Sequence, residues 1–280
     1  MADEVSVVIP THDRDRQLVE ALESVFSQTL PPVKVIVSDD RGASATRDAV
    51  NAFSARTSQV VQYVDSSGPL AGTAGASRNS GATCVTTPLI AFLDDDDLWH
   101  PEFLSSTTAA LTNAGADFAV AWNKADDAEF TMTRMREGLS AQNVVARNPG
   151  FVGSNFLMKT EAFNALGGFD PELPVSNDKD LLVRALAAGL SYVVVEKYLV
   201  INRIHESEQL TDKTIRRENG IRKYISKHRA LLSRRDNWFL QAQLASVRRV
   251  TAPSKMSRFL SGVTVAVTRT LYWITSPGSE

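Results

Sequence analysis

Four consecutive carboxylates, Asp94-Asp95-Asp96-Asp97, follow the apolar run Leu89 to Leu93 and precede Leu98-Trp99. In an extended chain residues two apart project to one side, so Asp94 and Asp96 are expected to address one site. Hard oxygen donors in so small a number suit Mg²⁺ or Mn²⁺ shared with a substrate diphosphate. Two more apolar runs end in polar groups: Val5 to Ile9 in Pro10-Thr11-His12-Asp13, and Val33 to Val37 in Ser38-Asp39-Asp40. Carboxylates crowded on one edge repel one another unless a cation or polar ligand lies among them. Asp178 opens a helical pattern, where a carboxylate can also serve as an N-cap. Neither G-x-x-x-x-G-K-S/T nor a G-x-G-x-x-G after the first strand occurs, which weighs against ATPase and dinucleotide-dehydrogenase chemistry.

The elements that must position these residues read as an α/β unit. Short β-branched runs (Val5 to Ile9, Val33 to Val37, Val60 to Val64) and the apolar run Leu89 to Leu93 alternate with helical patterns, the mark of parallel strands joined by crossover helices. Leu18, Leu22, Val25 and Phe26 recur at helical spacing before Pro31-Pro32, and a second helix is expected over about 43–55. Ligands of such open sheets collect at the carboxyl ends of the strands, which is where the acids lie. Beyond them Asp117 to Trp122 reads as a strand, 134–148 is polar and carries no clear pattern, and Gly167-Gly168-Phe169-Asp170 is a turn. Asp178 to Ala188 then reads as a helix and Tyr192 to Val195 as a strand.

Length and charge set the outer bounds. A chain of 280 residues with 43% apolar content can bury a sizeable core. Cys84 is the only cysteine, which excludes intramolecular disulfides and fits a reducing compartment. The acidic opening Met-Ala-Asp-Glu lacks the basic start of a cleaved signal. The net charge of −2 conceals an acidic body with a basic tail: residues 213–280 hold 14 Lys/Arg against three acids, and residues 1–212 hold 16 against 29. The charge change near residue 212 is the clearest expected boundary. Within the tail, 255–275 reads as an amphipathic helix with Leu260, Val263, Val267, Leu271 and Ile274 on one face and Lys255, Arg258 and Arg269 on another. Arg269 interrupts the apolar run, so the helix is expected to lie in a membrane interface rather than span it; the rival is packing on the body or on a second copy in a homodimer.

The order of motifs resembles the family 2 glycosyltransferases of GT-A fold. Val-Ser-Val-Val-Ile-Pro-Thr, Val-Ser-Asp-Asp, Ala-Ser-Arg-Asn-Ser-Gly, Leu-Asp-Asp-Asp-Asp-Leu-Trp, Gly-Gly-Phe-Asp and Asn-Asp-Lys-Asp-Leu carry the resemblance, over roughly residues 5–210. It implies an inverting transferase that moves a sugar from a nucleotide-diphosphate donor to a hydroxyl acceptor, on a Rossmann-like catalytic domain (1–212, with a nucleotide half to about 97 and an acceptor half from about 98) followed by a helical extension (213–280). By resemblance, Thr11, Asp39 and Asp40 hold the nucleoside, and Arg78 approaches the base or diphosphate. Asp94 lies near ribose and cation, Asp96 ligates Mg²⁺ or Mn²⁺ with Asp97 as the next candidate, and His205 approaches the cation or diphosphate. Asp178 is the implied base, and Asn177 stands where the family usually has Glu. Trp99 is a candidate wall of the sugar or acceptor subsite, with a core aromatic as the equal alternative.

Expected partners are therefore the donor, a hydroxyl acceptor that is a glycan, a small molecule or lipid-linked, and an anionic membrane surface at the cytoplasmic face, with no nucleic acid. Two rivals stand beside this reading. A sugar-nucleotide pyrophosphorylase would need a glycine-rich loop with a basic residue after the first strand, and Pro10-Thr11-His12-Asp13 supplies none. A non-catalytic nucleotide-sugar or membrane-binding module would not need Asp94, Asp96 and Asp178 together.

Overall fold

The computed structural model describes residues 3–69, 71–126, 132–203 and 213–275. Val5–Thr11 forms strand β1, buried at every position. Its side chains alternate between two apolar layers, Val5, Val7 and Ile9 on one face and Val8 on the other. Strands β2 (Lys34–Asp39) and β4 (Leu89–Phe92) flank β1 in parallel, and β3 (Val61–Asp65) continues in parallel outside β2. Parallel neighbours require crossovers, here α1 (Asp15–Phe26), α2 (Ser44–Thr57) and α3 (Ala74–Ala82). This part of the sheet is the parallel unit expected from the β-branched runs.

The next part changes direction. Strand β7 (Phe156–Lys159) runs antiparallel to both β4 and β6 (Phe118–Ala125). Strand β8 (Tyr192–Asn202) is parallel to β6, and the three-residue β5 (Asp97–Trp99) pairs antiparallel with β8. All join one mixed sheet in the order β3-β2-β1-β4-β7-β6-β8-β5. The nucleotide and acceptor halves drawn at residue 97 therefore share a single sheet.

Helices cover both faces. On one side Leu18 and Leu22 of α1, Phe53 of α2 and Leu111 of α4 (Phe103–Ala114) pack on the strands. On the other, Phe92, Phe156, Phe163 and Phe169 cluster with Leu181 and Leu182 of α7 (Asn177–Ala187), beside the short α5 (Ala141–Val144) and α6 (Thr160–Ala165). Each such side chain, fully buried, contributes about 1.5–3 kcal/mol. Helix α3 comes close to the sheet at Gly81, where a Cβ would lie 2.5 Å from Val8 Cγ1. Only glycine permits that approach, and α3 is the helix that carries Arg78.

The tail is helical as expected: α8 (Ile215–Lys227), α9 (Arg234–Thr251) and α10 (Lys255–Ile274). The charge change near residue 212 is nevertheless not a packing boundary. Tyr224 of α8 is buried with Ala146, Leu173 and Leu240, and its hydroxyl donates to the Val145 carbonyl at 2.8 Å. Helix α10 packs along α9 with Ser261 and Thr268 buried, so the apolar stripe foreseen for it faces outward. Leu260, Val263, Val267 and Ile274 are between 45% and 72% exposed. No described helix is long and apolar enough to cross a membrane.

Candidate functional site

Strand β4 ends level with Val8 of β1, and the chain then turns tightly, with the Asp97 amide donating to the Asp94 carbonyl at 3.0 Å. This turn, rather than strand alternation, gathers the acids, because residues 95–96 form the turn and β5 begins at Asp97. One oxygen from each of Asp94, Asp96 and Asp97 lies within 4.8 Å of the others. Asp95 faces another way. Buried, it accepts from Thr11 Oγ1 at 2.7 Å, from the His12 amide at 3.3 Å and from Arg14 at 3.0 Å, tying the end of β1 to the acidic turn.

Burial, then Asp94 and Asp96, hold the Asp97 carboxyl well above the usual carboxylate range, although Ser154 Oγ (2.6 Å) and Asn202 Nδ2 (2.7 Å) donate to it. Burial and Asp96 likewise push Asp95 up to about 6 against the pull of Arg14. Three hard-oxygen donors, one carboxylate oxygen from each residue within 4.8 Å of the others, are a donor set that fits Mg²⁺ or Mn²⁺. The protein adds its own cations here: Arg14 Nη1 lies 2.5 Å from Asp96 Oδ2, and Arg203 donates to the backbone carbonyls of Asp96 and Asp95 and pairs with Glu20.

Arg78 joins this turn to the start of α7. It is 3% exposed, pairs with Asp94, donates to Asn177 Oδ1 at 3.1 Å and stacks over the Phe169 ring at 5.0 Å. Gly153 leaves room for it, since a Cβ there would come within 2.3 Å of the guanidinium. Beside Asn177, Asp178 accepts the Lys179 amide at 2.7 Å. Burial raises the Asp178 carboxyl, with Asp94 adding to the rise and Arg78 opposing it. Asp180, the neighbouring acid, is spent on structure: Lys227 (2.7 Å), His228 (2.8 Å) and Arg184 (2.7 Å) surround it and hold it down at about 2.

The remaining expected residues fall in different places. Asp39 is fully buried and accepts from the amides of Arg41 (2.9 Å) and Ala43 (2.8 Å) and from the Tyr63 hydroxyl (2.8 Å), so it shapes the loop entering α2. Asp40 accepts from the Gly72 amide at 2.9 Å and meets His12 Nδ1 at 2.5 Å. Of the two readings of Trp99 the structure selects the core aromatic over the subsite wall: its ring stacks on Phe103 at 4.2 Å, its Nε1 donates to the Ser154 carbonyl, and it is 4% exposed. His205 lies outside the described residues.

Asp178 opens onto a cavity of about 630 Å³ between the segment 133–149, the start of α7, and helices α8 and α9. Sequence reasoning missed Arg14, Asp95, Ser154 and Arg203 around the acids, and the basic lining of this cavity. Arg14 stood in the loop after β1 and could have been weighed with Thr11. Ser154 and Arg203 carry no local signal, because only the fold brings them to the turn.

The family model for Glycosyl transferase family 2 matches residues 6–167, more than half of the chain. This chain belongs to glycosyltransferase family 2. A second model, Glycosyl transferase family group 2, matches residues 89–277 and so takes in the tail helices. Among relatives, validoxylamine A glucosyltransferase of Streptomyces hygroscopicus subsp. limoneus is 38% identical over 108 residues, covering 38% of this chain and 23% of that protein. Glycosyltransferase AglE of Haloferax volcanii is 25% identical over 201 residues, covering 67% of this chain and 62% of that one. The chain spans about a quarter of the length of the two validoxylamine A glucosyltransferases it matches. Among solved structures, mannosyltransferase PcManGT from Pyrobaculum calidifontis, in complex with GDP-Man and Mn²⁺, superposes with a TM-score of 0.66 at 15% identity, covering 96% of this chain and 83% of that one. TarS 1-349 of S. aureus in complex with UDP-GlcNAc gives 0.63 at 17% identity, covering 98% and 73%. The fold is GT-A with a C-terminal helical extension, as expected.

Proposed function

We propose that this family 2 chain transfers a sugar, with inversion, from a nucleotide-diphosphate donor to a hydroxyl acceptor. The observation that carries the reading is the Arg78 bridge. One buried guanidinium touches Asp94 of the acidic turn and Asn177 at the head of α7, so a donor held at the turn would present its anomeric carbon toward Asp178. Asp178, raised by burial, would take the acceptor hydroxyl's proton as that oxygen attacks from the face opposite the leaving diphosphate. Asp94, Asp96 and Asp97 would hold Mg²⁺ or Mn²⁺, which offsets the charge developing on the diphosphate. Arg14 and Arg203 add fixed positive charge on the same side. Asp40 and Thr11, at the ends of β2 and β1, would line the nucleoside end, and Asp39 would act through the loop that it ties. His205 remains a proposed contact to the cation or diphosphate.

The exposed apolar stripe of α10 further supports a peripheral membrane role, with the stripe in the interface and the basic tail facing anionic lipid at the cytoplasmic leaflet. That placement would bring a lipid-linked acceptor or a growing glycan within reach.

The decisive experiment is thermal stabilisation by a panel of nucleotide sugars, including UDP-GlcNAc and GDP-mannose, with Mn²⁺, Mg²⁺ or chelator, followed by a donor-hydrolysis assay. One donor should raise the melting temperature only with the ion, because binding to the folded state alone stabilises by mass action. Asp96→Ala should abolish the ion-dependent part. Full donor binding and turnover in chelator would overturn the metal assignment, and a panel without any responding donor would overturn the transferase reading.

A further inference from the structure

The cavity beside Asp178 has a charge that the transfer reaction does not itself require. Five of its fifteen lining residues are cationic, Arg134, Arg136, Arg147, Lys179 and Arg217, and Asp178 is the only acid among them. None of Arg78, Asp94, Asp96 and Asp97 lines it, so this positive charge is separate from the place where the donor's diphosphate would be held. The cations come from three parts of the fold: the segment before α5 and the residues after it, the first turn of α7, and α8 of the tail.

Lys179 is the most informative of the five. It is 7% exposed, with its ammonium 4.1 Å from the Tyr224 ring and one hydrogen bond, at 3.4 Å to the Ala146 carbonyl. An ammonium can donate three. Burial pulls it down to about 8, and Asp178 beside it offsets part of that fall. A buried cation so thinly partnered is costly to the apo fold and becomes favourable when an anion joins it. Arg147, by contrast, is already aimed, stacked on Phe239 at 4.1 Å and donating to the Tyr272 hydroxyl at 2.6 Å. Guanidinium groups fixed in this way suit the bidentate recognition of phosphate oxygens.

We propose that this cavity is the acceptor subsite and takes an acceptor bearing a phosphate ester or diphosphate, the anion lying among Arg134, Arg136, Arg147, Lys179 and Arg217 with the hydroxyl at Asp178. The inference rests on the transferase reading and narrows it to a class of acceptor. The same chemistry is offered by a lipid-linked diphosphate and by a polyol phosphate.

The test is calorimetric titration of the full chain, in chelator so that no ion at the acidic turn traps phosphate, with farnesyl diphosphate, glycerol 3-phosphate and inorganic phosphate, and with farnesol and glycerol as neutral controls. At least one phosphate probe should bind about tenfold or more tightly than its neutral counterpart, as expected for a charge-assisted site. Lys179→Met should weaken that binding about tenfold, since the buried cation contributes most. Should that variant fail to fold, the exposed Arg136→Gln supplies the test with a loss of about threefold, the scale of one exposed charge contact. In both, the affinity for the stabilising nucleotide sugar with Mn²⁺ should be unchanged. Tightest binding of farnesyl diphosphate marks a lipid-linked acceptor, tightest binding of glycerol 3-phosphate marks a polyol phosphate, and equal binding of inorganic phosphate marks recognition of the anion alone. The proposal is overturned when no phosphate probe exceeds its neutral control, when the variants bind as the native chain does, or when nucleotide-sugar affinity falls by the same factor, which would place the anions in the donor site. Donor stabilisation that survives while phosphate binding is absent removes this inference and leaves the transferase reading standing.

Discussion

At the scale of single residues, the site depends on which carboxylates are free to act. Asp178 is raised by burial and accepts its neighbour's amide, whereas Arg184, Lys227 and His228 all engage Asp180. Asp178→Asn should therefore cut turnover by about 10²-fold or more, the usual scale for a lost general base, while donor affinity stays unchanged. Steady-state kinetics with a donor-binding isotherm would check this, and an equal loss of binding would move Asp178 into the donor site. Arg78 is the complementary case. Arg78→Met would leave Asp94 and Asn177 without their shared partner, so donor affinity and turnover should fall together. Turnover lost at constant donor affinity would mean that the bridge does not serve the donor.

At the scale of elements, α3 and α7 place these groups and each depends on a close contact. Gly81→Ala sets two effects against one another: alanine is favoured in a helix by about 1 kcal/mol, and overpacking costs typically 1–3 kcal/mol. With Val8 Cγ1 2.5 Å from the new Cβ, in the middle of the sheet, the clash should win. A net loss of about 1 kcal/mol in denaturant unfolding is expected. Helix α7 is fastened to α8 through Asp180. Its carboxyl is held at about 2 in the fold, so it contributes stability above the ordinary carboxylate pKa that is lost as pH falls from about 4 toward 2. The contribution is about 2 kcal/mol, from a shift of nearly two pH units. Asp180→Asn should lower stability at pH 7 and flatten the acid limb of the stability curve; an unchanged limb would show that the cluster contributes nothing net.

At the scale of the whole molecule, the tail couples catalysis to location. Helix α10 presents its apolar stripe outward while Tyr272 reaches inward to Arg147 and Arg235. Truncation after Thr251 should release the chain from anionic vesicles, because it removes the stripe and leaves only basic residues, worth about 1 kcal/mol each near the surface at low salt. It should also disturb use of the acceptor more than donor hydrolysis, since Arg147 loses the hydroxyl that orients it. Co-sedimentation with anionic and neutral vesicles at two salt concentrations would decide the first point. A full-length chain that ignores both vesicle types would end the membrane reading.

The sequence alone carried the local facts: β1 and β2 from their β-branched runs, β4 from its apolar run, α1 and α7 from helical spacing, and the acids at the strand ends from their position just after apolar runs. It also carried the motif order that marks the family, because motifs are contiguous and survive without tertiary information. Strand alternation put only Asp94 and Asp96 on one side, and Asp97 entered as the next candidate by resemblance alone; a tight turn is what gathers all three. Nor did the sequence decide which way Trp99 faces, or show that Arg78 reaches Asn177 ninety-nine positions away, or that α8 belongs to the body despite the change of charge. These depend on packing between distant segments. Hydrophobic period tells which face of an element is buried, but not which neighbour buries it. The amphipathic stripe of α10 is the clearest instance: its spacing was legible in the sequence, and only the packing on α9 turned it outward.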